Sequence, residues 1–501
     1  MADTKPGISL SLIALLLFSA AGLVAFWTSL DLPSETEGLG FLDYPLILHQ
    51  YDSFWQWLLR DFPEKMHFIR PVPFFIQGLI VTGVENHTAL LRLVNLTALV
   101  ISGWLLFKLL RRESVNFQLS ILAGMILILH PINVINVLKI IHLGYLLGGM
   151  FCLLALNIYA SFRDREKPFV IYLLEAGIIA AMLLSYELYV VAPLLLLLYE
   201  FFIKAEASSL QMKVRYFFKS LLLWGGLVGG YLLLRLIAFH GVGGYADFWE
   251  RNPLAPFLKG GKWLSGWGFL HILGQPLGLL DIALLMILAA VVFFIILNKE
   301  NRTILAFAIF WFIAASLPYF VITATYHYVF AFSLIGCIFA LCLSYQRRLK
   351  GKVLSKAVGY AALLLLLMFW LYGHFPATAS VIAGIENDHV PAQIIADQIG
   401  KEHDQTLVFL ASASSDRHIQ VRLALLLHPA QITLMEILPP LSPQEENRLY
   451  EADSSGMGYR IYALREGRNV AFQPNLSSLL QAAQQLNPPA GDTPRPQRRR
   501  P

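Results

Sequence analysis

The sequence predicts an all-α polytopic membrane bundle of about eleven transmembrane helices, followed by one small water-facing α/β domain. Three observations predict it. The 501 residues are 57% hydrophobic and 14% charged, with a mean hydropathy of +0.60, whereas soluble domains carry roughly a quarter charged residues. Leu-rich runs recur from Ile8 to Phe375, and about 20 apolar residues cross a ~30 Å hydrocarbon core. Beyond Phe375 the runs stop, and short strand-like and helix-like stretches alternate up to Leu486.

The expected spans are Ile8–Leu30, Thr88–Leu110, Leu119–Asn136, Leu143–Ser161, Phe169–Leu184, Leu188–Ile203, Ser220–Phe239, Pro276–Leu297, Ile304–Ile322, Tyr328–Tyr345 and Val358–Phe375. The first has a nearly uncharged flank, a long apolar stretch and no clear small-x-small cleavage site before Leu32, so it reads as an uncleaved helix. Residues 1–375 form the membrane domain, with a long first outer loop over 31–73. Within that domain the run Val72–Val84 is too short to span and reads as re-entrant or interfacial. Trp249 to Gln275, with its three Trp, reads as an interfacial hairpin. Residues 376–486 read as the small domain. Its expected strands are Thr406–Ala411, Ile432–Ile437 and Gly458–Tyr462, and its expected helices Val390–Ile399 and Ile419–Leu427. Residues 487–501 read as a Pro-rich, basic, disordered tail.

Charge sets the orientation. With the N-terminus cytoplasmic, the inner segments hold 18 Lys and Arg, while the outer ones hold 7 over roughly twice the length. An odd number of spans then puts the C-terminal domain outside. The formal charge of +5 reflects this topology, and no nucleic-acid partner is expected. Cys152, Cys337 and Cys342 all fall in predicted spans and show no disulfide, CxxC or zinc spacing.

Charges at the outer mouth of a membrane bundle cost energy and tend to mark function. Asp43, in Phe41-Leu42-Asp43-Tyr44-Pro45, can serve as a general base on an acceptor hydroxyl. A turn or cap aspartate is the plainer reading, and Asp61 shares that ambiguity. Arg70 precedes Pro71 where the chain re-enters apolar territory and suits a phosphate or carboxylate, or else snorkels to the headgroups. His130-Pro131, Lys139 and His142 can form a cationic mouth or an ordinary interfacial loop. Glu187 sits in a tight outer turn, placed to bind a metal, accept a hydroxyl proton or pair with a Lys. Arg235 lies about one turn inside the outer end of its span, which makes it the strongest phosphate candidate, with snorkelling to the headgroups the other reading. Tyr326 and His327 open the tenth span beside Tyr328, where an aromatic belt is expected. The chain has no Walker A loop, dinucleotide glycine pattern or HExxH. The inner loops are short, so any chemistry belongs outside, without a soluble nucleotide. No metal or cofactor site is assigned, and a need for a divalent ion is left open.

The order of several motifs resembles the GT-C superfamily of polyprenyl-phosphate-sugar-dependent glycosyltransferases. The likeness is nearest to the membrane portion of the transmembrane-and-TPR protein O-mannosyltransferases. It runs through Leu42-Asp43-Tyr44, Asp61-Phe62, Arg70-Pro71, Leu93-Val94-Asn95, His130-Pro131, Glu187, Tyr231 to Arg235, Asn252-Pro253-Leu254, Trp311, Leu317-Pro318, Tyr326 and Tyr328. The chain departs from the pattern at Leu42, Ile135, Leu143, Tyr145, Tyr186 and Thr325, and lacks the TPR array. The resemblance implies transfer of a sugar from a polyprenyl-phosphate donor to an acceptor at the outer face. Asp43 would be the catalytic base, Arg70 and Arg235 would hold the donor phosphate, and Asp61, His130, Lys139, His142, Glu187, Tyr326 and His327 would line the site. Donor and membrane lipids are the expected partners, with the acceptor unassigned. A bacterial inner membrane, with the last domain periplasmic, fits the compact loops. The alternative is a non-catalytic polytopic membrane protein, a transporter or a scaffold, with a degenerate GT-C relative among the options.

Overall fold

The computed structural model describes residues 8–30, 69–83, 87–163, 167–203, 210–239, 302–318, 330–348, 364, 367–368, 370–383, 406–410, 434–437, 459–465 and 469–473. The helices fall in one compact unit and the strands in a second.

The helical unit opens with α1 (Ile8–Phe26), α2 (Pro71–Gly83), α3 (His87–Arg112) and α4 (Phe117–Leu129). It continues with α5 (Ile132–Leu138), α6 (Leu143–Phe162), α7 (Phe169–Leu183) and α8 (Ala192–Leu198). A five-residue π turn, Tyr199–Ile203, follows α8. The unit ends with α9 (Leu210–Phe239), α10 (Arg302–Ser316), α11 (Ala331–Arg348) and a helical stretch over 370–383, here α12.

Four helices among the described residues are long and apolar enough to cross a membrane, or five if the bent pair α4–α5 is one span. The chain is an integral membrane protein. Large apolar side chains also face outward, such as Val24 at 83% and Leu222 at 73% exposure, as a lipid-facing surface requires. The expected eleven spans are therefore not all matched by long helices. The expected Leu119–Asn136 span bends by 61° at His130-Pro131, since proline lacks an N–H and disfavours helix for the residue before it. Phe169–Leu183 and Arg302–Ser316 are shorter apolar helices. The Leu188–Ile203 span is a 3₁₀ turn (Glu187–Val191), α8 and the π turn. Val72–Val84 is the 13-residue helix α2. The Pro276–Leu297 span and the 249–275 hairpin lie outside the described residues.

The core gathers on α3, α4, α6 and α11 around Leu99, Leu106, Ile128, Leu156 and Phe339. Helices approach through glycines where an aromatic ring needs the room. A Cβ on Gly148 would lie 2.1 Å from the Tyr189 ring, and one on Gly336 2.2 Å from Trp311.

The second unit holds a four-stranded sheet of β1 (Thr406–Leu410), β2 (Leu434–Ile437), β3 (Tyr459–Arg465) and β4 (Asn469–Gln473), in the order β2-β1-β3-β4. β1 runs parallel to β2 and β3, with Val408 opposite Met435 and Ile461. β3 and β4 pair antiparallel. The strands fall on the three stretches expected from sequence and add β4. The expected helices Val390–Ile399 and Ile419–Leu427, and the tail, lie outside the described residues.

Candidate functional site

Three of the expected site residues come together. Arg70 directly precedes α2, whose first residue is Pro71, a residue preorganised for that position. Glu187 opens the 3₁₀ turn after α7. A bond from Val72 N to Leu184 O at 3.4 Å ties the two segments. Arg70 Nε donates to Glu187 Oε2 at 2.8 Å, and Arg70 Nη2 donates to Glu187 Oε1. The guanidinium therefore grips the carboxylate as a two-pronged fork, while its other face lies 3.9 Å from the Tyr186 ring centroid.

Arg235 enters from α9. Its Nη1 donates to the Tyr231 hydroxyl one turn earlier, at 3.0 Å, and its guanidinium lies 5.5 Å from the Phe239 ring. It is close enough for its charge to act on Glu187. Burial pushes the Glu187 carboxyl up, but the charge and hydrogen bonds of Arg70, with Arg235 behind, outweigh it and hold the group below the usual carboxylate value. Glu187 is thus an ionised anchor for guanidinium. Of the roles open to it from sequence, the structure shows an ion pair, but with Arg70 in place of the expected lysine.

His130, Lys139 and His142 form a separate arrangement about the α4–α5 elbow. His130 is fully buried. Its Nδ1 accepts from Ile132 N at 3.1 Å, and its ring sits 4.7 Å from that of Trp370 on α12. The imidazole caps the backbone at the break instead of standing at an open mouth. His142 is buried too, with Nδ1 3.1 Å from Asn136 Oδ1. Lys139 ends α5 and offers its carbonyl to Asn95 Nδ2 at 2.9 Å.

The elbow is held by side chains of α2 and α3. Asn95 Nδ2 also reaches the carbonyls of Asn136 and Val137 at 3.3 and 3.2 Å. Arg92 Nε donates to Leu138 O at 2.9 Å, and Gln77 Nε2 to Ile140 O at 2.8 Å. These donors satisfy carbonyls that a helix end leaves bare, and a cation there suits the negative end of the helix dipole. Arg92 and Gln77 did not emerge from the sequence as candidates. A lone arginine five residues into an apolar span was the available signal. Asp43, Asp61, Tyr326 and His327 lie outside the described residues. Among the described residues no group of three or more His, Cys, Asp or Glu is placed to hold a metal.

No known protein family and no curated protein matches the chain. Among solved structures it is similar to the Archaeoglobus fulgidus oligosaccharyltransferase in complex with Zn and sulfate, at 10% identity and a TM-score of 0.40, over 86% of this chain and 62% of that one. The same archaeal enzyme tethered to an acceptor peptide containing the NVT sequon gives 10% identity and a TM-score of 0.39, over 87% and 64%. The chain thus spans less than two thirds of the length of these proteins.

Proposed function

We propose that this chain is a membrane glycosyltransferase of GT-C type, taking a sugar from a polyprenyl-phosphate donor and passing it to an acceptor at the outer face. The observation that carries the reading is the convergence of Arg70 and Arg235 on one corner at Glu187. The motif resemblance supplies the reaction class.

In the proposed reaction the acceptor oxygen attacks the anomeric carbon of the donor sugar. Its proton passes to the Asp43 carboxylate, and the bond from the anomeric carbon to the phosphate oxygen breaks with its electron pair going to the phosphate. Arg70 and Arg235 meet that developing charge. Fixed cations in a site poor in water stabilise such charge more than water does. Glu187 holds Arg70 in place, and its own low basicity unsuits it to be the base. Lys139 borders the approach, with Asp61, Tyr326 and His327 contributing from the outer loops, while His142 is held in the elbow by Asn136. His130 supports the site from behind, through the elbow. The proposed setting is a bacterial inner membrane, with the N-terminus cytoplasmic and an α/β domain, built on the four-stranded sheet, in the periplasm.

The test is transfer from a radiolabelled polyprenyl-phosphate sugar in membranes carrying the wild type or Asp43→Asn. Loss of turnover by about a hundredfold or more is expected. Unchanged turnover removes Asp43 from the mechanism, and a wild type that binds no such lipid ends the enzyme reading.

A further inference from the structure

Over residues 217–239, one stripe of α9 is buried. Between residues 217 and 239 its buried side chains are Ser220, Trp224, Val228, Tyr231 and Arg235, spaced four, four, three and four apart. The other faces are exposed, from Phe218 and Leu222 to Leu236 and Ile237. Added Cβ atoms on Gly225, Gly226, Gly229 and Gly230 would meet nothing within 4 Å. Apolar side chains cannot decide which face of such a helix turns inward, because lipid tails receive leucine as well as the bundle does.

Polar groups hold the stripe at its ends. At the outer end stand Tyr231 and Arg235, beside Glu187. At the inner end, Trp224 Nε1 donates to Glu175 Oε1 at 2.9 Å. Lys167 Nζ donates to Glu175 Oε2 at 2.7 Å and to Ser220 Oγ at 3.0 Å. The Lys167 and Glu175 side chains are only 1% and 0% exposed.

We propose that the Lys167–Glu175 pair is a register pin. Through Trp224 and Ser220 it fixes the rotation of α9 and so aims Arg235 into the outer cluster. A buried ion pair is close to neutral in net stability against apolar replacements, and its best-attested use is to set register. Trp224 and Arg235 are eleven residues apart, about 16 Å along the axis, and a one-residue slip turns the helix by about 100°. That turn carries Arg235 from the bundle to lipid. Lys167, Glu175, Ser220 and Trp224 are positioning residues, and their effect on donor binding rests on the function proposed above.

The register is read without any activity. Two single-cysteine variants are made: Ala238→Cys, seven residues after Tyr231 on the stripe side, and Ile237→Cys, on an opposite face. The full chain in lipid is then labelled with a water-soluble maleimide against a blank carrying neither substitution. In the parent, the thiol at position 238 should label at least tenfold faster than the thiol at position 237. In K167M/E175L, and in S220A/W224F where the ion pair stays, the ratio should fall at least threefold while the protein elutes as one species. Should K167M/E175L fail to fold, S220A/W224F decides. An unchanged ratio in S220A/W224F, or a parent ratio near one, overturns the proposal. A collapsed ratio in a protein that binds no donor leaves the pin standing and removes the glycosyltransferase reading.

Discussion

Removing Arg70 and Glu187 one at a time and then together tests the geometry of the outer corner. The fork brings the charge centres to about 4 Å, where an effective dielectric of ~20 gives about 4 kcal/mol. The two side chains are 10% and 18% exposed, and this access to water lowers the expected coupling to about 2 kcal/mol. Each single change, R70Q or E187Q, should cost about 3 kcal/mol, because it strands a partly buried charge. R70Q/E187Q should cost about 2 kcal/mol less than the sum of the singles. Equilibrium unfolding in mixed SDS micelles gives all four stabilities. The pH dependence adds an independent arm. The Glu187 carboxyl titrates below its ordinary value in the folded protein, so its contribution is full above about pH 4.3, the unfolded value. It is lost only as pH falls further, through the folded-state value. The advantage of wild type over E187Q should therefore persist unchanged from about pH 7 to about pH 5. Additive singles within about 0.5 kcal/mol, or an advantage already gone at about pH 6, would refute the reasoning.

Further outcomes follow from the same contacts. Arg235→Gln should cut transfer about a hundredfold in steady-state kinetics, with Arg235→Lys recovering only part as a point charge; equal rates for all three would remove Arg235 from the site. Asn95→Leu strips three carbonyls of the elbow of their donor and should lower stability by about 2–3 kcal/mol in the SDS titration. Gly148→Ala puts a methyl 2.1 Å from the Tyr189 ring, displacing a hydroxyl that donates to Tyr145 O at 2.7 Å. A cost of about 2 kcal/mol or more is expected from overpacking, and a neutral result would mean the ring yields freely.

What could be read from the sequence was set by range. Apolar runs are local, so α1, α3, α6 and α9 fall where hydropathy puts them. The outer charges Arg70, Glu187 and Arg235 stood out because an apolar context makes any charge conspicuous. That Arg70 and Glu187 hold each other depends on a contact 117 positions apart, and no periodicity carries it. His130 misled in the opposite direction. A His-Pro pair at a span end looks like a polar mouth, yet the proline breaks the helix and the imidazole turns inward to cap the break. The acids at the inner side were not legible at all. Glu200 follows Tyr199 inside a π turn, and that turn aims neighbouring side chains at different partners. Tyr199 donates to Glu113, while Glu200 receives Tyr159 and Arg163.

Those inner contacts bear on how charge orients the chain. Lys167 and Arg163 count among the cytoplasmic cations, yet each is neutralised by a carboxylate within the helical unit, Glu175 and Glu200. Arg70 counts on the outer side and is neutralised in the same way. Setting all three aside removes two inner charges and one outer charge, so the excess of Lys and Arg on the inner segments survives. The loops that carry it, 108–112, 204–219 and 346–356, contain neither Lys167 nor Arg163. In the orientation expected from charge, biasing the topology and fixing the helices therefore fall to different cations. Lys167 and Arg163 are buried against acids of neighbouring elements. Separating the two roles lets the inner ends be rigid without weakening the charge bias that orients the chain. A rigid inner end is what a helix as sparsely packed as α9 needs if its outer arginine is to stay turned toward Glu187.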